Sequence, residues 1–483
     1  MSSETLDSAR ARGGTAITGR ALTITLIVVL VAELMNALDG SIVYTALPTI
    51  QNDTGATSAA VQWIPAAYTL VFALGLITGG RLGDLYGRKR VFLAGAAAFT
   101  SASLLCGLAS GPGMLIAARM LQGAGAAVMV PQVLATLYVS FDGAARAKAF
   151  GLYGLIMSLG GVLGPVLGGV LTGADLFGLG WRTIFLINLP IGLAVVALGM
   201  RFIPESRDTH ARRLDPLGIL LCSSGLLLIV YPLTVGGQQQ WPGWSVAMMI
   251  AGLAMLGGFV VQQRAKTAKD DSPLVSLTLF RGRAFLGGVS AQLVFGLVSG
   301  IFLLTWTLFM QDGLGLSPVQ FAPGAAAVAI GGMGGAMLAS KLVVTHARRV
   351  PQAGASLLAL TLLGYELLVG SRGTGVGLVA AVAPMLALGC GFGMIGAGLA
   401  ALALGQVDPA DIGSASGVFN TALQVGTALG VALASVAYFV GAPAGSHGTE
   451  VTTAFAGALW YVICAVVAMW ALMFLLPRHQ PRS

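Results

Sequence analysis

An all-α membrane protein of fourteen transmembrane helices is predicted by three features of the chain. These are its apolar composition, apolar runs of bilayer length and the placement of its cations. Of the 483 residues, 56% are apolar and 9% charged, whereas a soluble domain carries about 25% charge. So few charges cannot cover a water-facing surface of this size. The 69 glycines are scattered through apolar runs, which excludes collagen-like and disordered chains. Cys106, Cys222, Cys390 and Cys464 also lie inside apolar runs, so neither a disulfide framework nor a metal site is expected. A polar stretch, residues 1–20, precedes the first apolar run, an order that does not suit a cleaved signal peptide.

Runs near 20 residues long span a bilayer, and reading them between charged or Gly/Pro-rich breaks gives the helices in order. The first six cover 21–47, 60–80, 91–110, 113–138, 149–173 and 183–203. A pair follows at 216–236 and 244–263. The last six cover 284–310, 319–342, 351–370, 377–402, 413–441 and 452–476.

The cations test this count. With the N-terminus inside, only Arg182 and Arg372 of the 26 Lys and Arg residues fall in outward segments and only Arg119 deep within a span, Arg201 and Lys341 lying at the inner ends of theirs. Cytoplasmic loops carry the excess of Lys and Arg, and a wrong count would scramble the alternation. A multi-pass protein of the cell membrane with both termini cytoplasmic is the expectation. The net charge of +8 is then topology rather than a nucleic-acid surface. The longest polar breaks bracket the middle pair, so the expected organisation is 6+2+6. A tail 1–20 leads into a six-helix bundle 21–203, then a linker 204–283 with two extra helices, a second bundle 284–477 and a tail 478–483. Paired six-helix halves around a central site are a common architecture of secondary transporters.

The segment after the second span, read as a loop, is Gly80-Arg81-Leu82-Gly83-Asp84-Leu85-Tyr86-Gly87-Arg88-Lys89-Arg90. Its glycines allow tight turning and close helix approach. Asp84 among cations can form a cytoplasmic clamp or sit at the start of the next helix. The ordered pattern resembles the signature loop of the major facilitator superfamily, and the resemblance runs along nearly the whole chain. Leu38-Asp39-Gly40-Ser41-Ile42-Val43 with Ala46-Leu47-Pro48 resembles the first-helix motif of its fourteen-span drug/proton antiporters. Arg119-Met120-Leu121-Gln122-Gly123-Ala124-Gly125 resembles the buried-arginine motif, and Gly160-Gly161-Val162-Leu163-Gly164-Pro165-Val166-Leu167-Gly168-Gly169 the signature associated with exporters. The stretches Trp181 to Pro190 and Gly413 to Gly417 also look like family landmarks. The matching loop of the second half, Ser340 to Arg349, has cations but no acid, so its clamp is degenerate.

Gly160, Gly164 and Gly168 repeat every four residues, as do Gly161, Pro165 and Gly169, giving two smooth adjacent faces. Small faces let helices pack backbone to backbone, and a mid-helix proline favours a kink. The small-residue spacing alone fits plain packing, but the proline within the doubled repeat favours a gating hinge or seal.

Ionisable groups inside a membrane are costly, roughly 2.5–3.5 kcal/mol each, and so are functional candidates. Four qualify here: Glu33, Asp39, Arg119 and Glu366. Glu33 falls near the midplane, and Asp39 lies about 9 Å further along and ~120° around the helix. Asn36, three residues from each, could bridge their faces. Asp39 is the first expected proton carrier, by resemblance, and Glu33 the second, by its depth. Arg119 must be paired or face a wet cavity. Glu366, near the end of its span, could equally snorkel to the interface. Candidate cavity residues are Asn36, Gln122, Phe302, Trp306, Asn420 and Gln424. Phe295, Phe302, Trp306 and Phe309 share one helix face that could meet either substrate or lipid.

The resemblance implies a proton-coupled antiporter that exports small amphipathic or cationic compounds by alternating access. A dedicated exporter of one metabolite or self-made antibiotic is the nearest alternative, and an uptake symporter a more distant one. No phosphate-binding loop of the ATP-driven type is present. His210, His346, His447 and His479 lie on different segments, so no catalytic cluster is expected and the chain reads as a non-enzyme. Expected partners are the substrate, protons and the bilayer, with no cofactor, metal or nucleic acid and with function as a monomer.

Overall fold

The structure is a computed structural model and describes residues 19–206, 214–235, 241–269, 273–316, 318–376, 378–408, 411–441 and 449–478. All the regular secondary structure among these residues is helical. Fourteen long helices follow the apolar runs in order. They are α1 (Gly19–Thr54), α2 (Ser58–Tyr86), α3 (Arg88–Gly107), α4 (Pro112–Ser140), α5 (Gly143–Ala174), α6 (Asn188–Phe202) and α7 (Pro216–Val235). Then come α8 (Gly243–Ala268), α9 (Arg283–Leu308), α10 (Pro318–His346), α11 (Arg349–Arg372), α12 (Leu378–Leu404), α13 (Ile412–Gly441) and α14 (Thr449–Leu472). A helical turn, Thr183–Leu186, leads into α6. Thirteen spans are long and apolar enough to cross a membrane, and α5 makes a fourteenth if its two bent parts are one span. That bend, 47° between Gly161 and Val166, contains Pro165, which removes one ladder hydrogen bond where the spacing predicts a kink.

One boundary changes the reading of a motif. The segment Gly80 to Tyr86 is not a loop but the last turns of α2. Gly87 alone makes the turn, with φ 101°, a region that L side chains rarely adopt. A helical Gly80–Tyr86 fixes the direction of Asp84, which a loop would leave free.

Among the first six helices, α2 packs on α4, α3 on α4 and α1 on α5; among the last six, α10 packs on α12, α9 on α13 and α11 on α12. The middle helices α7 and α8 pair with each other, and α7 touches α2 and α13. The first and last sets meet through α2 with α13 and α5 with α10. At the α2–α13 crossing, Gly80 and Gly413 face each other so closely that a Cβ on either would overlap the other's backbone. Gly151 of α5 sits against Ser340, and Gly154 against Ala397. Tyr138 at the end of α4 donates its hydroxyl to the Val407 carbonyl at 2.8 Å. All these contacts lie at the Asp84 end of the molecule. Further along α5, Gly161 and Gly169 face open space.

Candidate functional site

Two polar centres occupy the apolar interior. The first is built around Arg119 on α4. Its Nη1 donates to Asp39 Oδ2 at 2.5 Å and to Gln122 Oε1 at 2.7 Å, and its Nε to the Ile64 carbonyl at 3.4 Å. Gln122 lies one turn further along α4, so helical geometry presents both side chains to α1. Gln122 Nε2 returns to Asp39 Oδ1 at 2.7 Å, and Asn188 Nδ2 reaches the same oxygen at 3.2 Å. Ser103 Oγ accepts from both amides. Asp39 thus receives one charged and two neutral donors, the dense pairing that a buried ion needs. The Arg119 guanidinium lies 4.2 Å from the Tyr68 ring centre and 5.7 Å from that of Phe185, an arrangement that spreads its charge over aromatic faces.

Glu33 stands differently. It is six residues before Asp39 on α1 and is 1% exposed. Its Oε1 accepts from Asn36 Nδ2 at 3.4 Å, whereas Oε2 has no hydrogen-bond partner among the described residues. Asn36 in turn accepts from the Tyr68 hydroxyl at 2.6 Å. Asn36 therefore bridges, but towards Tyr68 rather than towards Asp39. A line of contacts runs Glu33, Asn36, Tyr68, Arg119, Asp39.

The second centre is Asp84, which is 0% exposed. It accepts from Arg88 Nη2 at 3.0 Å on its own side, and from the Gly413 amide at 3.1 Å and the Ser414 amide at 3.0 Å across the interface. Ser414 Oγ adds a fourth bond at 3.2 Å. The carboxylate caps the N-terminus of α13, where unpaired amides and the helix dipole favour an anion. Arg81 is buried beside it; Lys89 donates its Nζ to the Met200 carbonyl, and Arg90 pairs with Glu205 at 3.5 Å. Gly83 packs on Gln132, and Gly87 on the Glu205 carboxylate. Replacing Asp84 with Asn removes charge assistance from bonds of about 1.5–3 kcal/mol each. Asp84→Asn should reach normal protein levels yet transport several-fold more slowly per molecule, which an uptake assay normalised to protein content would measure. Full transport at equal abundance would contradict the clamp.

The remaining candidates divide. Gly160, Gly164 and Gly168 pack against Ala37, Ser41 and Thr45 of α1, and Ser41 Oγ donates to the Gly160 carbonyl at 2.9 Å. Only this one of the two small faces is packed. The other, with Gly161 and Gly169, is open, and the side chain of Pro165 lies outside the described residues. Phe302 and Trp306 are buried and stack at 5.7 Å, with Phe392 of α12 at 6.2 Å from Phe302. Their face is interior, not lipid-facing. Asn420 donates to the Ser416 carbonyl of its own helix, and Gln424 is half-buried near it. Glu366 is half-buried on α11, apart from both centres, with no hydrogen bond or ion pair among the described residues. In the second half, Ala347 (φ 41°) makes the turn that Gly87 makes in the first, and Arg348 bonds the Phe474 carbonyl at 2.9 Å.

Sequence reading missed several partners. Tyr68, Ser103 and Glu205 carry no local signal, because each acts on a residue distant in the chain. Asp53, beyond the apolar part of α1, accepts from Trp181 Nε1 at 2.9 Å and Arg182 Nη1 at 2.8 Å. The Trp181 bond and then the Arg182 bond hold its carboxyl below the ordinary range. Asp215, just before α7, joins the middle helices. It accepts from Gln262, Gln263 and the Gly218 amide and pairs with Lys266 at 3.2 Å. Burial pushes this carboxyl up, but the bonds from Gln262, Gly218, Gln263 and Lys266 outweigh it and leave it below its usual value.

A helical membrane protein with an ion pair buried among its first six helices, and an acid that bonds them to the N-terminus of α13, has the build of a carrier. The Major Facilitator Superfamily model matches residues 29–215 and 210–431, and the chain belongs to that family. It is 40% identical over 418 residues to a probable actinorhodin transporter of Streptomyces coelicolor, covering 85% of this chain and 72% of that one. It is 35% identical to a cephamycin export protein of Amycolatopsis lactamdurans, over 89% of this chain and 88% of the relative. A puromycin resistance protein of Streptomyces alboniger is 34% identical, over 93% and 90% respectively. Among solved structures, a proton:xylose symporter superposes with TM-score 0.67 at 14% identity, over 94% of this chain and 95% of that one. That likeness shows the fold alone.

Proposed function

We propose that the chain is a proton-coupled antiporter that exports small amphipathic, often cationic, compounds across the cell membrane. Residues 21–203 and 284–477 form two six-helix halves that rock about their shared interface, and the two helices of the linker 204–283 stand outside them. Both termini and the Asp84 clamp face the cytoplasm, so the structure is the form closed to the inside.

The observation that carries this reading is Glu33, a buried carboxyl with one oxygen that has no partner among the described residues. As an anion there it would be costly, so it is held best with a proton. Asp39, saturated by Arg119, Gln122 and Asn188, serves as the fixed counter-ion of Arg119. Glu33 is therefore the proton carrier, and the Asn36–Tyr68 contact lets the Arg119–Asp39 pair sense its charge. A cationic substrate and a proton compete for the Glu33 negative charge, so binding one expels the other and exchange follows by linkage. Phe302 and Trp306 offer flat surfaces for aromatic substrates, with Asn420 and Gln424 as amide contacts.

Export is supported by relatives named for the export of, or resistance to, antibiotics. A dedicated exporter of one self-made compound is a second reading, favoured by the 40% identity to a probable actinorhodin transporter. Comparing accumulation of several dyes and antibiotics in cells with and without the protein tests both. Lower accumulation of chemically diverse compounds supports a broad pump, of one compound class a dedicated exporter, and of none contradicts export. Single-cysteine labelling should place the 238–243 segment outside the cell; a cytoplasmic location would contradict the topology.

A further inference from the structure

The last turns of α8 border a cavity that exchange of protons and substrate does not use. Its volume is about 820 Å³, and it lies between α8 and the short 3₁₀ helix Leu277–Arg281. Arg264, Arg281, Thr267 and Thr278 supply its polar wall, and Val260 and Phe280 part of its apolar wall. Neither guanidinium has an ion pair or hydrogen bond among the described residues; Asp270 and Asp271 lie outside them. The face of α8 beyond the cavity is bare and apolar, with Ile250, Leu253 and Val261 more than 60% exposed. Two cations with no partner among the described residues and an apolar wall, opening beside a bare apolar helix face, match a phosphodiester that carries acyl chains. Basic pockets between helices at the cytoplasmic surface suit such headgroups.

We propose that this cavity binds the headgroup of an anionic phospholipid, with Arg264 and Arg281 holding the phosphate. The bound lipid also reaches the gate. The segment before the 3₁₀ helix is buried, and its Leu274 carbonyl accepts from Ser414 Oγ at 3.4 Å. Val275 donates its amide to Gln263 Oε1, and Gln263 bonds Asp215. Ser414 is one of the three residues that hold Asp84, through its amide as well as its shared hydroxyl, so a lipid that pins Leu277–Arg281 also steadies the closed clamp. This consequence rests on the proposed gate, whereas binding itself does not.

Native mass spectrometry of the purified full chain tests the site without a proton gradient, so a failure of the antiport reading leaves the result intact. Dioleoyl phosphatidylglycerol, dioleoyl phosphatidylcholine and inorganic phosphate are titrated separately against wild type, Arg264→Gln/Arg281→Gln and Arg372→Gln. Phosphatidylglycerol affinity should fall roughly tenfold to thirtyfold in the double variant and stay unchanged in Arg372→Gln. Equal affinity in the double variant, or phosphatidylcholine binding as tightly as phosphatidylglycerol, would overturn the proposal. Inorganic phosphate displacing the lipid at equal concentration would mark a free-anion site and overturn it too. The single variants, each changing one exposed side chain, carry the same test should the double variant unfold, with an intermediate loss expected from each.

Discussion

Glu33→Gln should abolish proton-driven efflux while leaving the protein folded. Glutamine has nearly the same shape and keeps the oxygen that accepts from Asn36 Nδ2. It cannot titrate, so nothing on α1 would load a proton on one side and release it on the other. Each unit of pH difference supplies about 1.4 kcal/mol per proton, or a roughly tenfold concentration ratio. The variant should lose that dependence entirely, and its substrate should settle at the passive distribution whatever the pH gradient. Thermal stability should be equal or higher, because a neutral amide suits the apolar site at least as well as an acid. Dye efflux from vesicles with an imposed pH step measures this. Efflux that still follows the pH step would remove Glu33 from the coupling.

Asp39→Asn should fail for another reason. It strips Arg119 of its only ion-pair partner among the described residues, inside a site where Arg119 is 1% exposed. Breaking a buried pair from one side costs about 3–5 kcal/mol, since the remaining charge is left uncompensated. Asp39→Asn should therefore lower thermal stability as well as transport. Adding Arg119→Gln should restore much of the stability, because both charges are then gone, but not transport. Melting temperatures of the two single variants and the double variant check this. If Asp39→Asn melts like wild type and still transports, Asp39 is not the counter-ion the site requires.

These two outcomes separate what was legible in the chain from what was not. The helices were legible because bilayer length and cation alternation are global constraints that each apolar run satisfies independently. Glu33, Asp39 and Arg119 stood out singly, since an ion in hydrocarbon needs a reason. Their division of labour did not, because it depends on which carboxylate meets Arg119 across 80 residues of sequence. The Asp84 motif was recognisable by its order of glycines and charges, yet its partners Gly413 and Ser414 lie more than 300 residues away. Its helical form was hidden because glycines suggest a loop, whereas here they admit α13 at Gly80 and turn the chain only at Gly87. The spacing of Phe302 and Trp306 gave a face but not its direction, which the packing against Phe392 supplies. Glu366 matched Glu33 by residue type, but its place near the end of a span already set it apart, and its half-burial away from the two centres agrees with that.

Proton release on substrate addition tests the central claim most directly. A cationic dye is added to purified protein in weakly buffered detergent solution, and the pH change is read for wild type, Glu33→Gln, Asp39→Asn and the Glu33→Gln/Asp39→Asn double variant. Wild type should release protons in proportion to dye bound, and both variants carrying Glu33→Gln should release none. Undiminished release from the double variant would contradict the assignment and turn attention to Glu366.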